Sequence, residues 1–257
     1  MRFDPESGLI LPRSRREIER GCFMAASQQA LLMANQGGDV NFSSVSLLLH
    51  GNGTDTSTTI TDSSSNARTA TLIGNVQIDT GQSKFGGASI QFDGVNDGLS
   101  YAHYTGFEFG TGACTWEFWV RINTLAEAYP IAFKWNNAAY DTYVQISSAG
   151  KLSLIIQSVG IISTANGALT TGTWYYVAVT RSGTTWKMVY GTSGSTTTVG
   201  TSTTGGGADP GTNNAMLVGC LSTGGFLALD GWMDDVRITK GVARDVSNVP
   251  TTEFPNN

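Results

Sequence analysis

The stretch Cys114-Thr115-Trp116-Glu117-Phe118-Trp119-Val120-Arg121-Ile122 constrains the fold of this chain more than any other. Trp116, Phe118, Val120 and Ile122 fall on one side of an extended backbone; Thr115, Glu117, Trp119 and Arg121 fall on the other. Two-residue alternation of aromatic and β-branched residues predicts a strand with one face against a core and one turned outward. The two large aromatics on the buried face bring much of the apolar area that one strand can supply. Trp119 stands with the polar set. Either a second layer covers it, or it lines an open groove.

The rest of the chain repeats the period. Val45–His50, Thr69–Ile73, Val76–Ile78, Ala88–Phe92, Ile131–Trp135, Tyr143–Ser147, Lys151–Gln157, Gly172–Arg181, Thr185–Tyr190, Ala215–Gly219 and Ala228–Thr239 all read as strands between Gly, Asn, Asp and Ser turn signals. Ser193–Pro210 is a Thr/Gly tract almost without large apolar residues and is expected to be a surface loop. Charged residues make up only 14% and there are 32 glycines, as suits a turn-rich β protein rather than a helical one. About a dozen short strands at this spacing predict an all-β fold, an antiparallel β-sandwich or jelly roll, over residues 44–257. Its buried residues should include Trp116, Phe118, Trp174, Val177, Val179, Val236 and Ile238, although Trp174 and Val177 cannot share one face of a regular strand. No apolar run reaches the ~18 residues of a membrane helix.

Residues 1–43 differ in kind. Leu9-Ile10-Leu11 lies between Gly8 and Pro12 as an apolar handle on an extended arm. A short α-helix is expected next: Ser14 caps it, Glu17 completes a capping box, Ile18, Cys22, Ala25, Ala26, Leu32 and Met33 follow helical spacing, and Gly37-Gly38 ends it. Arg2, Arg13, Arg15, Arg16 and Arg20 are five of the fifteen basic residues, in a chain of net charge −5. The β body is therefore acidic, which argues against a nucleic-acid partner for it. Asp4, Glu6, Glu17 and Glu19 interleave with the arginines, the pattern of a solvated helix face. Such a segment cannot bury a core alone. It is expected to dock on the β body, on a second copy or on a partner, with Leu9, Ile10, Leu11, Arg15, Arg16 and Ile18 as anchor residues. Ser27, Gln28 and Gln29 interrupt the apolar run Cys22–Ala34, so no signal peptide is expected and the chain reads as made in a cytoplasm. The cysteines, Cys22, Cys114 and Cys220, are odd in number and lack metal-ligand spacing. Buried free thiols are expected, with a Cys114–Cys220 disulfide as the alternative.

Four segments carry a family resemblance: Lys84-Phe85-Gly86-Gly87-Ala88-Ser89-Ile90-Gln91-Phe92-Asp93-Gly94, Trp116–Arg121, Gly172–Val179, and Gly231-Trp232-Met233-Asp234-Asp235-Val236-Arg237-Ile238. In this order they resemble the laminin-G-like, concanavalin-A-like jelly rolls, over roughly residues 44–255. That fold hosts lectins, glycosidases, adhesion modules and virion proteins, so the resemblance implies fold more than function. The closing stretch Asp235–Arg244 is most similar to the version in tailed-bacteriophage structural proteins, such as tail-fibre, head-fibre and capsid-decoration modules. Some relatives bind calcium.

Glycosidases on this fold need paired, positioned carboxylates. No Glu-x-Asp-x-x-Glu run exists here, Glu117 is alone on its strand, and the adjacent Asp234 and Asp235 should point to opposite faces of a regular strand. His50 and His103 have no nucleophile motif beside them. The chain is therefore read as no enzyme. Asp234 shares the parity of Val236 and Ile238, which turns it inward, where a carboxylate needs a structural hydrogen bond or a cation. Asp93, Asn96 and Asp97 are candidate calcium ligands in one tight loop, although Asp-Gly turns explain the same residues. Trp119, Trp135, Tyr140 and Tyr104 are candidate glycan-stacking residues, against ordinary core and rim packing; Tyr101 and Phe107 belong to the same aromatic set.

The reading is a non-enzymatic virion protein of a tailed phage, a fibre, decoration or tail component made in the host cytoplasm. It displays a lectin-like sandwich toward host-surface glycans and is held to other virion proteins by residues 1–43. A homo-oligomer, a trimer among the options, adds avidity. The alternatives are a bacterial carbohydrate-binding adhesin module and a glycan-cleaving relative.

Overall fold

The alternating stretch becomes the middle of a large sheet because both of its edges find long partners. The computed structural model describes residues 2–3, 10–11, 38–133, 141–205, 209 and 214–257. In chain order its strands are β1 (Arg2–Phe3), β2 (Ile10–Leu11), β3 (Val45–Leu49), β4 (Thr71–Ile73), β5 (Gln77–Asp79), β6 (Ser89–Asp93), β7 (Gly98–Tyr101), β8 (Cys114–Ile122), β9 (Ala128–Phe133), β10 (Thr142–Ile146), β11 (Leu152–Ile156), β12 (Val159–Ser163), β13 (Trp174–Ser182), β14 (Thr185–Gly191), β15 (Thr197–Ser202), β16 (Met216–Val218) and β17 (Asp230–Lys240). One sheet runs β15-β14-β13-β8-β17-β6-β5, with β3 added to the outer half of β17. The other runs β12-β11-β10-β9-β16-β7-β4. All of these strand pairs are antiparallel. The expected all-β sandwich is what forms.

The core lies between the sheets. Trp116, Phe118, Val120 and Ile122 face it from β8, beside Tyr175, Val177 and Val179 of β13 and Met233, Val236 and Ile238 of β17. Register sets Trp116 opposite Val179 and Phe118 opposite Val177. Trp116 reaches across to Phe133 of the second sheet, with ring centroids 4.8 Å apart, and touches Trp186 at 5.6 Å and Phe109 at 5.8 Å. This aromatic cluster joins the two sheets through contacts of large area and restricted geometry. Trp174 is an exception among the expected core residues. It sits on the outer parity of β13 and is only half-buried.

One expectation is corrected and one is met. The Thr/Gly tract is not all loop: Thr197–Ser202 pairs with β14 as an edge strand, because β-branched threonine suits an extended edge even without apolar side chains. Cys114 and Cys220 are buried thiols, as expected. Cys114 belongs to the main core and Cys220 to a small cluster with Leu217 and Ala132, so no disulfide joins them. The expected helix after Ser14 falls outside the described residues, as do anchor residues Leu9, Arg15, Arg16 and Ile18. Ile10 and Leu11 are described as backbone only, paired with Phe3 and Arg2.

Behind the eight-stranded sheet, the polar face of β8 is covered by ion pairs. Glu117 accepts from Tyr176 Oη at 2.6 Å and pairs with Arg237 Nη2 at 2.8 Å. Asp39 pairs with Arg244 at 2.7 Å and Arg237 at 3.3 Å. The Asp39 amide donates to the Asn257 carbonyl at 2.7 Å, so these two residues adjoin on this outer face.

Candidate functional site

The opposite face of the molecule, the outer side of the seven-stranded sheet, is built differently. On β10 the alternation Thr142-Tyr143-Val144-Gln145-Ile146 buries Val144 and Ile146 in the core and leaves Tyr143 and Gln145 half-buried outside. Register continues the two rows across the sheet. Gln145 stands beside Ser153, which stands beside Ser163. Tyr143 stands beside Ile155, which stands beside Gly160. A groove of about 350 Å³ follows these rows, lined by Gln145, Lys151, Ser153, Ile155, Ile161 and Ser163 among others. One wall is polar and the other apolar.

Polar contacts fix the inner end of the groove. Gln145 Nε2 donates to Glu127 Oε1 at 2.7 Å and to Tyr129 Oη at 3.2 Å, and Tyr129 Oη donates to the same Glu127 oxygen at 2.6 Å. Tyr129 and Tyr143 meet edge to face at 4.9 Å. Burial, and then the Glu127 carboxylate, raise the Tyr129 phenol; burial and the charges of Asp141 and Glu127 raise that of Tyr143. Both stay neutral donors at ordinary pH. The groove's lining suits hydroxylated, partly apolar surfaces, and among the described residues that line it none is an Asp or Glu.

The expected stacking residues are placed elsewhere. Trp119 is fully buried. Phe85 meets it edge-on at 5.8 Å, Tyr176 lies at 5.7 Å, and Lys84 Nζ sits over its ring at 4.0 Å. A second layer therefore covers it, and no sugar can stack on it. Tyr101 and Phe107 are core residues. Tyr104 lies half-buried in a separate end cleft, with the Arg68 guanidinium 4.2 Å over its ring. Trp135 and Tyr140 lie outside the described residues. Tyr143 and Gln145 escaped notice as site residues, yet their signal was legible: they are the outward half of an alternating strand.

The loop proposed for calcium is held as a turn. Asp97 is 2% exposed and accepts from the amides of Asn75 at 2.6 Å and Asp93 at 2.9 Å. Asp93 accepts from the Val95 amide at 2.9 Å. Asn96 sits between them against Gly74 and Gly225. Among the described residues no three His, Cys, Asp or Glu side chains cluster as metal ligands.

Asp234 and Asp235 depart from the regular strand. The β17 ladder shifts register between Asp234 and Arg237, and Asp235 takes φ +50°. This bulge breaks the parity, so Asp234 does not share the inward face of Val236 and Ile238. Asp234 Oδ2 accepts from the amides of Lys84 at 2.8 Å and Phe85 at 3.1 Å. Asp235 accepts from Phe254 N at 2.7 Å and meets His50 Nδ1 at 2.6 Å. Both carboxylates thus pin segments to the back of the eight-stranded sheet. Burial pushes Asp234 up to about 7, against the two amides. Burial alone would lower the His50 pKa, but the bond to Asp235 and its charge outweigh this and hold it above the ordinary value. The second histidine, His103, meets Glu108 at 2.6 Å at the surface.

Residues 92–246, more than half of the chain, match a laminin-G family described as the concanavalin A-like lectin/glucanases superfamily. No curated protein matches the chain in sequence. Among solved structures it is similar to the binding domain of Paraclostridial Mosquitocidal Protein 1, at 13% identity and TM-score 0.58, over 79% of this chain and 50% of that one. It is also similar to the binding domain of botulinum neurotoxin DC in complex with SialylT, at 15% identity and TM-score 0.52, over 78% and 49%. A third similar structure is domain 4 of AbnA, an arabinanase from Geobacillus stearothermophilus, in complex with arabinotriose, at 15% identity and TM-score 0.53, over 78% and 94%. The chain spans about half the length of the two toxin chains. At these identities the likeness is one of fold.

Proposed function

We propose that this chain, which belongs to the concanavalin A-like lectin/glucanases superfamily, is a non-enzymatic glycan-binding protein whose ligand lies in the groove on the outer face of the seven-stranded sheet. The observation that carries the reading is the groove's two-sided lining. Gln145, Ser153, Ser163 and Lys151 offer hydrogen bonds along one wall and Ile155 and Ile161 an apolar surface along the other, with Tyr143 beside Ile155 in register. A pyranose presents the same division, with hydroxyls at its edge and C–H groups on its face. Support also comes from two neighbours described as binding domains, one of them in complex with SialylT, and from an arabinanase domain in complex with arabinotriose. The isolated acids support a binding rather than a cleaving role: Glu117 is consumed by Arg237 and Tyr176, and Asp234 and Asp235 by loop amides and His50.

The wider role follows the same geometry. Asp39, where the described β body begins, sits on the outer face of the eight-stranded sheet, opposite the groove. Residues 1–43 acting as the anchor would therefore hold the module from behind and leave the groove facing outward. We read this as the layout of a tailed-phage virion fibre, decoration or tail component, made in the host cytoplasm and working as a homo-oligomer in which weak sites gain avidity. A glycan array tests the binding. Tyr143→Ala and Gln145→Ala should each weaken the best hit by about tenfold while the fold is retained; an array without hits, or hits indifferent to both variants, refutes it. Deleting residues 1–40 tests the anchor. Loading of the truncated protein onto particles at the wild-type level refutes that part alone.

A further inference from the structure

A second cleft, of about 310 Å³, opens at one end of the sandwich, away from the groove. The turn before β3, with Ser43 and Ser44, forms one wall; the turn Tyr104–Gly106 forms the other, and Lys240 closes it. Internal bonds already spend its floor. Asn66 Nδ2 donates to the Val45 carbonyl at 2.9 Å, Asn66 Oδ1 accepts from Tyr104 Oη at 2.6 Å, and Ser46 Oγ donates to the Gly106 carbonyl at 2.8 Å. The cleft is therefore preformed. The charge it carries is cationic, and its hydroxyls can donate or accept. Lys240 Nζ donates to the Thr105 carbonyl at 2.7 Å and keeps its other two hydrogens. The Arg68 guanidinium lies over the ring of Tyr104, a lining residue, at 4.2 Å, and among the described residues no carboxylate forms an ion pair with it. Ser43, Ser44 and Thr105 bring hydroxyls.

Among the described residues no Asp or Glu lines this cleft. Two acids close in sequence to the lining residues are occupied: Asp62, 5% exposed, accepts from the amides of Leu48, Ser64 and Arg68, and Glu108 faces His103. A pocket on an acidic body whose charged lining, among the described residues, is the Lys240 ammonium suits an oxyanion, because charge-assisted bonds gain most where no fixed carboxylate already neutralises the cation. Its volume is at the small end of ligand pockets and fits one sugar residue. Tyr104 and the serine and threonine hydroxyls suit the rest of such a residue.

We propose that this end cleft is a distinct binding site for a carboxylate-bearing sugar residue, with Lys240 and Arg68 holding the carboxylate and Ser43, Ser44 and Thr105 the hydroxyls. The site stands independently of the groove. The test is a set of amide NMR titrations of the full chain with sodium glucuronate, methyl glucuronate ester, glucose and inorganic phosphate. Glucuronate should shift the amides of Ser43–Ser46, Thr105 and Gly106 saturably, and the ester and glucose should not. Lys240→Gln and Arg68→Gln should each weaken glucuronate by about tenfold or more, with amides across the rest of the sandwich unchanged. Absence of saturable shifts, equal shifts with the ester, or indifference to both substitutions would overturn the proposal. Phosphate binding as tightly as glucuronate would overturn the sugar assignment. Loss of binding in Tyr143→Ala, with cleft residues intact, would place the ligand in the groove instead and also overturn it.

Discussion

Replacing Asp235 by alanine should destabilise the fold more than any exposed substitution. Asp235 is fully buried and holds two segments at once, His50 after β3 and Phe254 near the C-terminus. Each bond to its carboxylate contributes about 1.5–3 kcal/mol when the partner would otherwise be stranded. Alanine leaves the Phe254 amide and the His50 ring unpaired, and it must also adopt φ +50°, a left-handed conformation in which Asp and Asn are better tolerated. The expected loss is about 3–5 kcal/mol, the range for breaking one side of a buried pair. For a domain of this size that lowers Tm by about 6–20 °C. Asp235→Asn keeps the backbone preference and an acceptor for Phe254 and should cost only about 1–2 kcal/mol. Urea and thermal unfolding followed by tryptophan fluorescence measure both, and a double-mutant cycle with His50→Ala should return a coupling of about 1 kcal/mol or more. An alanine variant within about 1 kcal/mol of the parent, or an asparagine variant as damaged as alanine, would refute the clamp.

Three further outcomes are expected. Asp234, at about 7, and His50, raised by Asp235, both hold protons more tightly folded than unfolded. The stability they contribute is therefore complete below about pH 4 for Asp234 and below about pH 6.5 for His50, and is lost as pH rises through their folded values. The unfolding free energy from urea melts should fall between about pH 5 and 8, by up to about 1.4 kcal/mol per pH unit for each titrating group, and Asp234→Asn should flatten the slope; equal free energies across that range contradict the assignment. Trp119→Ala should cost about 3–5 kcal/mol as a buried truncation yet leave the affinity of the folded protein for glycans unchanged, which array binding well below the melting temperature reads directly; a selective loss of affinity would put a sugar on this ring after all. Cys114, pushed up to about 12 by burial, and the buried Cys220 should resist a thiol reagent in folded Cys22→Ser protein and react in urea, and rapid labelling of the folded chain would show that the sheets open.

The alternation around Trp116 was readable because a strand has only two faces, and residue order assigns every side chain to one of them until the backbone departs from regularity. So the sandwich, the central strand and the inward residues of β8 were all legible. The Tyr143–Gln145 surface was legible in the same way, though only as a pattern, since period alone does not say which outward face stays open. Sequence could not reach the bulge at Asp235. One residue in a left-handed conformation reverses the parity of everything before it, and local order contains no sign of which strand partner demands it. Trp119 shows the same limit: whether an outward aromatic is a platform or a second core depends on Phe85, Lys84 and Tyr176, of which Lys84 and Tyr176 stand 35 and 57 positions away in the chain. Residue order by itself determined the strands, their inward faces and the all-β class. The tertiary structure alone decided which outward faces are covered, which acids are spent on loops, and which clefts remain, because those are set by contacts between segments far apart in sequence.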